Sequence, residues 1–160
     1  MDEFISPTLG IISFAGVCKD IADLIRSCPE AAYRIIVGSD SQMQQSRTCY
    51  VTVVVLHRKG KGARFYYTRC YDRRAGMRQR IIYETTKSLE CGWRLVEGLK
   101  PHGLDIKELE IHIDVGRRGE SRELIREIVG MVLSSGFEAK IKPESFAAFS
   151  VANKFTKRFP

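Results

Sequence analysis

Two aspartates stand at the ends of apolar runs. The first run, Arg34-Ile35-Ile36-Val37-Gly38-Ser39-Asp40-Ser41-Gln42, reads as a buried strand that closes on a carboxylate among small polar residues. The second, Glu110-Ile111-His112-Ile113-Asp114-Val115-Gly116, closes in the same way. An isolated buried carboxylate is strongly disfavoured, so an acid in such a place must be paired, hydrogen-bonded or bound to a cation. Two of them in one small chain point to a metal site. Carboxylate oxygens suit hard ions such as Mg2+ or Mn2+. Two such ions, about 3.5–4 Å apart, can stabilise both the attacking water and the leaving oxygen of a phosphodiester. The competing reading of Asp40 is a turn aspartate hydrogen-bonded to Ser41 or Gln42. Strand alternation puts Asp114 on one face with His112 and Glu110, and turns Leu109, Ile111 and Ile113 the other way. His112 therefore sits either near the site or in packing, satisfied by a backbone carbonyl. His102, just after Pro101, reads as a loop residue.

The elements that must position these acids follow from the apolar pattern. Ile21, Leu24 and Ile25 recur at helical spacing and are closed by Cys28-Pro29, which predicts a short amphipathic helix leading into the first strand. Residues 48–58 and 63–71 are rich in β-branched and aromatic types and flank Lys59-Gly60-Lys61-Gly62, a hairpin pattern. The G-x-G in that turn lacks a third glycine and a following helix, so it is not a dinucleotide loop. From about 78 to 100, Ile81, Thr85, Leu89, Gly92, Val96 and Leu99 share one face, the longest predicted helix, stopped by Pro101. A strand at 108–115, a helix at about 120–134 with Leu124, Ile128, Met131 and Val132 inward, a short strand at 137–142 and a last helix opening near Ser145 complete the order. Meander strands first and βαβ units later imply a mixed sheet, antiparallel on one side and parallel on the other, with helices on its faces. No internal repeat, linker or low-complexity tract interrupts it.

The 160 residues are 44% hydrophobic, enough for a core, and predict one domain over 1–160 with residues 1–30 packed on it as an N-terminal helical segment. Lys and Arg number 26 against 19 Asp and Glu, a net charge of +7 that attracts polyanions such as nucleic acid or anionic membrane surfaces; solubility alone is the plain alternative. Cys18, Cys28, Cys49, Cys70 and Cys91 form no C-x-x-C pair and no zinc-like cluster with the histidines, as expected of thiols in a reducing cytosol. Cys49 and Cys70 are candidates to face one another across the hairpin. The N-terminal apolar stretch, preceded by Asp2 and Glu3 and broken by Pro7, Gly10 and Gly16, supports neither a secretory signal nor a membrane span, and a cytoplasmic location is expected.

Three meander strands, a long helix, then two strands with intervening helices resemble the ribonuclease H fold. The stretches Gly38-Ser39-Asp40-Ser41-Gln42, Ile111-His112-Ile113-Asp114-Val115-Gly116, Gly130-Met131-Val132, Gly136-Phe137, Lys142-Pro143-Glu144-Ser145-Phe146-Ala147-Ala148 and Val151-Ala152-Asn153-Lys154 make the chain similar to the YkuK-like family of ribonuclease H-like bacterial proteins. The resemblance covers nearly the whole chain. It implies an α/β fold with a five-stranded mixed sheet, three antiparallel meander strands then two parallel ones, flanked by helices. It also implies a metal-nuclease ancestry. In ribonuclease H-like enzymes four acids, on the first strand, first long helix, fourth strand and last helix, hold two divalent cations. By position those roles fall on Asp40, Glu84, Asp114 and Asn153, with Asp40, Glu84 and Asp114 as metal ligands.

Asn153 departs from that pattern, because the place usually carries an aspartate. An amide oxygen ligates a cation without bringing charge, so a second ion would bind weakly or lean on substrate phosphate. Glu144, nine residues away on the same predicted helix, faces the other side, and Glu120 is the better reserve ligand. Glu84 lies on the border of the apolar stripe of its helix, with Glu90 and Glu97 on the far side; its competing reading is an exposed glutamate paired with Lys87 or Ser88. Basic residues surround each acid: Arg73, Arg74, Arg78 and Arg80 before Glu84, Arg117 and Arg118 after Asp114, and Lys154, Lys157 and Arg158 after Asn153. Such clusters suit a phosphate backbone, and Arg74, Arg78, Arg117, Arg118, Lys154 and Lys157 are the candidate nucleic-acid contacts. Phe65, Tyr66, Tyr67 and Tyr71 are candidates to stack bases, or else fill core and edge.

Three functions fit these residues. One is a divalent-metal nuclease hydrolysing phosphodiester bonds in RNA, DNA or an RNA-DNA hybrid. Another is a catalytically weakened ribonuclease H-like binding module, favoured by Asn153. The third, a nucleotide-binding relative of the actin and sugar-kinase fold, needs a second domain and a second phosphate loop that the sequence lacks. Oligomeric state is not legible from these residues.

Overall fold

The computed structural model describes residues 2–73, 75–116, 121–145 and 150. One seven-stranded sheet runs in the order β2-β1-β5-β4-β3-β6-β7. Its centre is β3 (Tyr33–Met43), β4 (Arg47–Arg58) and β5 (Gly62–Arg73), an antiparallel meander of long β-branched and aromatic runs. Gly60 at φ 75° and Gly62 at φ 94° supply the left-handed backbone that the β4–β5 turn requires. On the other side of β3, β6 (Leu109–His112) and then β7 (Glu138–Lys140) add in parallel. The expected division into an antiparallel and a parallel side is therefore present.

Two strands exceed the expected five. Residues expected to belong wholly to a helical segment instead open with a hairpin, β1 (Glu3–Ser6) and β2 (Gly10–Ser13), and β1 pairs with β5 through Ile5 and Tyr67. Ser6 Oγ accepts the N–H groups of Thr8 and Leu9 at 3.3 Å, closing the turn. Helix α1 (Phe14–Ser27) follows, capped by Ser13, whose hydroxyl accepts the Gly16 N–H at 3.1 Å. It docks on β5 through Asp20, which accepts from the Tyr66 hydroxyl at 2.6 Å and pairs with Arg64 at 3.1 Å.

Helix α2 (Met77–Leu99) crosses the same sheet face, and α3 (Arg122–Ser134) starts at its cap Ser121. These helices bury Val17, Ile21, Ile81, Leu95, Leu99, Ile128 and Val132 against Ile35, Val37, Val54, Tyr66 and Ile111 of the sheet. A second apolar cluster, Ile36, Cys49, Val51, Val53, Val55 and Tyr67, lies on the opposite face. Gly98 lets α1 approach α2 closely: a Cβ there would sit 2.6 Å from Cys18 Sγ. The Cys49–Cys70 contact expected across the hairpin does not form. The register pairs Cys49 with Tyr71 and Tyr50 with Cys70, so the two thiols point to opposite faces, and all five cysteines are free. No described helix is long and apolar enough to cross a membrane. The last helix expected near Ser145 falls largely outside the described residues.

Candidate active site

The parallel register between β3 and β6 decides where the two aspartates lie. Ile36 pairs with Glu110 and Gly38 with His112. Two residues further along each chain, Asp40 and Asp114 follow on the same face. The chain beyond His112 stays tied to the segment after β7, through Ile113 N–H to Lys140 O and Lys142 N–H to Val115 O, both at 2.9 Å. This tie brings Lys142 Nζ to 2.6 Å from Asp114 Oδ1, an ion pair whose approach is off the direction of a hydrogen bond.

Glu84 arrives from the helix side. A ladder of hydroxyls docks α2 onto the sheet: Ser88 Oγ lies 2.9 Å from Ser39 Oγ, which lies 2.9 Å from Thr52 Oγ1. One turn earlier on α2, the Glu84 carboxylate reaches the end of β3, where the Ser41 hydroxyl donates to its Oε1. Glu84 is thus buried rather than exposed; Lys87 pairs instead with Glu90, and Ser88 donates to the Glu84 backbone carbonyl rather than to its carboxylate. Asp40 Oδ1 accepts the Ser41 N–H at 2.9 Å, so the local turn contact anticipated for Asp40 coexists with its place beside the other acids.

The electrostatics follow from burial. Asp40 and Glu84 are each only 8% exposed. Burial and the Asp114 charge push Asp40 up to about 6, against the Ser41 N–H and the charges of Arg80 and Lys142. Burial pushes Glu84 up to about 8, reinforced by Asp40 and Asp114 and opposed by the Ser41 hydroxyl and Arg80. Three carboxylates from three elements therefore share one field. Arg80, from the first turns of α2, and Lys142 are the cations that answer it. Arg80 Nε is buried and has no hydrogen-bond partner among the described residues.

These donors suit a hard divalent cation: oxygens only, three carboxyl groups close enough to raise one another, and a buried Asp114 oxygen without a directed hydrogen bond. They are not drawn into a cage. Among the described residues, no three His, Cys, Asp or Glu side chains converge closely enough to hold an ion without adjustment. Lys142 stands at Asp114, and Ser41 holds Glu84, where ligation would need those oxygens.

The remaining expectations divide. Asn153, Arg74, Arg117, Arg118, Lys154, Lys157, Arg158 and Glu120 lie outside the described residues. Arg78 is described, and is engaged by Glu127 of α3. His112 is a packed histidine, but its partner is Glu110 at 2.9 Å and not a backbone carbonyl; Arg34 clamps Glu110 from the other side at 2.7 and 2.6 Å. Those two bonds hold Glu110 below the usual carboxylate range although burial raises it. His102 closes a 3-10 turn, and its carbonyl accepts from Arg26. Glu144 sits in an exposed turn. Arg80 was expected beside Glu84 as one of a basic cluster suited to a phosphate backbone, and its charge does bear on both Asp40 and Glu84. Lys142 had no role beyond its motif, and only the fold brings it to Asp114.

Over residues 16–157 the chain matches the ribonuclease H-like family. It is also 35% identical to the uncharacterised protein YkuK of Bacillus subtilis (strain 168), across 91% of this chain and 92% of that one. The chain belongs to the ribonuclease H-like family. The match to YkuK agrees with the expected YkuK-like resemblance. Among solved structures, the N-terminal ribonuclease H domain of a Mycobacterium tuberculosis protein, fused to maltose-binding protein, overlaps 78% of this chain and 94% of its own at 12% identity and TM-score 0.42. LC11 ribonuclease H1 in complex with RNA/DNA hybrid overlaps 76% and 95% at 14% identity and TM-score 0.36. Membership of the ribonuclease H-like family rests on the two sequence matches, not on these looser overlaps.

Proposed function

We propose that this ribonuclease H-like protein acts on nucleic acid as a divalent-metal-dependent phosphodiesterase, with Asp40, Glu84 and Asp114 as its ligands for Mg2+ or Mn2+. The observation that carries the reading is the gathering of these acids at the end of β3, where burial first and their mutual repulsion second push Asp40 up to about 6 and Glu84 up to about 8. Ionising three acids that close together and that deeply buried costs stability, and a cation would offset that cost. A bound divalent ion would supply Lewis acidity at the scissile phosphate and lower the pKa of an attacking water. In that scheme Ser41 orients Glu84, the Asp40 turn contact fixes one oxygen and leaves the other for ligation, and Arg80 and Lys142 present positive charge to a phosphate. The single domain over 1–160 is part of the proposal, as is Asn153 as a fourth, uncharged ligand.

Cleavage of labelled hybrid, single-stranded and duplex substrates tests this. The reading requires hydrolysis that depends on Mg2+ or Mn2+ and vanishes in Asp40→Asn. A second reading, a weakened binding module, is favoured by the amide of Asn153 and the Lys142 pair on Asp114. Binding without hydrolysis in wild type, with hydrolysis gained in Asn153→Asp, would select it.

A further inference from the structure

The sheet face that carries Asp40 changes character along its length. Across β3, β4 and β5 the paired residues run Ile36-Val55-Phe65, Gly38-Val53-Tyr67, Asp40-Val51-Arg69 and Gln42-Cys49-Tyr71, and the meander ends with Arg47 opposite Arg73. The first rows are buried and apolar. From the Asp40 row onward Arg69, Tyr71, Arg73 and Arg47 join the buried Val51 and Cys49 on this face, with Asp40 its one acid on these three strands. Twice along β5 the same unit recurs. The Arg69 guanidinium lies 5.2 Å from the Tyr67 ring centroid, and the Arg47 guanidinium lies 4.1 Å from that of Tyr71. Tyr67 is buried, whereas Tyr71 is 46% exposed and Arg47 and Arg73 are exposed. Arg47 is held over the ring by its Nε–H, which donates to Gln44 Oε1 at 3.3 Å.

An exposed tyrosine with a guanidinium parked on one ring face is prepared to take another flat group on what remains open, and the two flanking arginines attract anions. Flat groups joined by anions describe a nucleic-acid strand. A duplex keeps its bases stacked on one another, so a ring platform of this kind selects unpaired bases. Strand spacing sets the reach: Tyr71 lies two strands across and one residue pair along from Asp40, about 12 Å between the Cα positions. A chain stacked at Tyr71 can thus run across the sheet end to the carboxylates.

We propose that Tyr71, Arg47 and Arg73 form a stacking platform that binds a single-stranded segment of RNA or DNA beside the carboxylate site. This rests on the nucleic-acid reading above and narrows its substrate to strands with an unpaired stretch.

The test is fluorescence anisotropy of the full chain with labelled oligo(U), oligo(dT) and a blunt duplex, in chelator so that nothing is cut. Tyr71→Ala is expected to weaken single-strand binding on the order of 10-fold and Tyr71→Phe to keep it, with duplex binding changed far less. Arg47→Gln and Arg73→Gln should each lower the slope of log affinity against log salt by about 0.7 for single strands. Comparison of oligo(U) with oligo(dT) separates RNA from DNA as the source of the strand. Thermal unfolding of each variant, close to wild type for these exposed side chains, excludes a folding defect. If wild type binds single strands and Tyr71→Ala binds them equally well, the platform is wrong while the nuclease reading stands. If wild type binds no single strand, duplex or hybrid even at low salt, both fall.

Discussion

Replacing Glu84 by glutamine should make the metal-free protein more stable above neutral pH, and the sign follows from the titration. The unfolded chain releases this proton near 4.5, while the folded protein keeps it to about 8. Between those values the folded state binds more protons than the unfolded one, so stability falls as pH rises through the window. The contribution is fully present below 4.5 and lost above about 8. At about 1.4 kcal/mol per pH unit, the displacement from 4.5 to about 8 corresponds to about 5 kcal/mol at most. Asp40 and Asp114 share in raising Glu84, and the NH2 group of glutamine brings two donors where the carboxyl had an oxygen, so Glu84→Gln should recover about 2–4 kcal/mol at alkaline pH. In melting temperature that is on the order of 10 °C for a chain of this size. Urea denaturation of both proteins in chelator, from pH 5 to pH 9, is the assay. The curves should cross: wild type equal or superior in acid, Glu84→Gln superior in alkali. A variant destabilised by the same amount throughout, or a wild type whose stability rises across the window, would refute the electrostatic reasoning.

Other consequences are as direct. Lys142→Gln frees Asp114 and leaves the site more negative, so Mn2+ affinity measured by calorimetry should tighten several-fold, on the order of 1 kcal/mol; weaker binding would mean that Lys142 helps to build the site. Glu110→Ala strips the partner from buried His112 and from Arg34, and chemical denaturation should register a loss of about 3 kcal/mol, whereas a loss under about 0.5 would make the cluster incidental. Gly98→Ala drives a methyl to 2.6 Å from Cys18 Sγ and should cost about 1–3 kcal/mol as α1 is pushed from α2; unchanged stability would show that Cys18 turns aside freely.

How far the sequence announced this arrangement depends on which interactions were local. The strands β3, β4 and β5 and helix α2 were legible because their periodicity is long and their turn residues are specific, down to Gly60 and Gly62. The border position of Glu84 on its apolar stripe was a sound pointer to its burial. The hairpin β1–β2 was not legible, because four-residue strands around Pro7 and Gly10, with Leu9 and Ile11 exposed, carry too little alternation to read. Cys91 and Leu95 complete the inward face of α2 that was read from Leu89 and Val96, which are only partly buried. A one-residue offset in hairpin register put Cys49 and Cys70 on opposite faces, and no propensity sets that offset. The contacts of Lys142 with Asp114 and of Ser41 with Glu84 join residues 28 and 43 positions apart, so only folding makes them neighbours. The sequence likewise named four aromatic residues on β5 without saying which was accessible. Alternation and depth leave Tyr71 exposed and turn Tyr66 into the helix-side core.

Isothermal titration of the metal-free protein with Mn2+ is the most direct measurement of the central claim, because it reads ligation without requiring the right substrate. Wild type should bind saturably, and Asp40→Asn and Asp114→Asn should each remove that heat. Binding that survives in the Asp40→Asn, Asp114→Asn double variant, or no binding by wild type, would contradict a cation shared between the ends of these two strands.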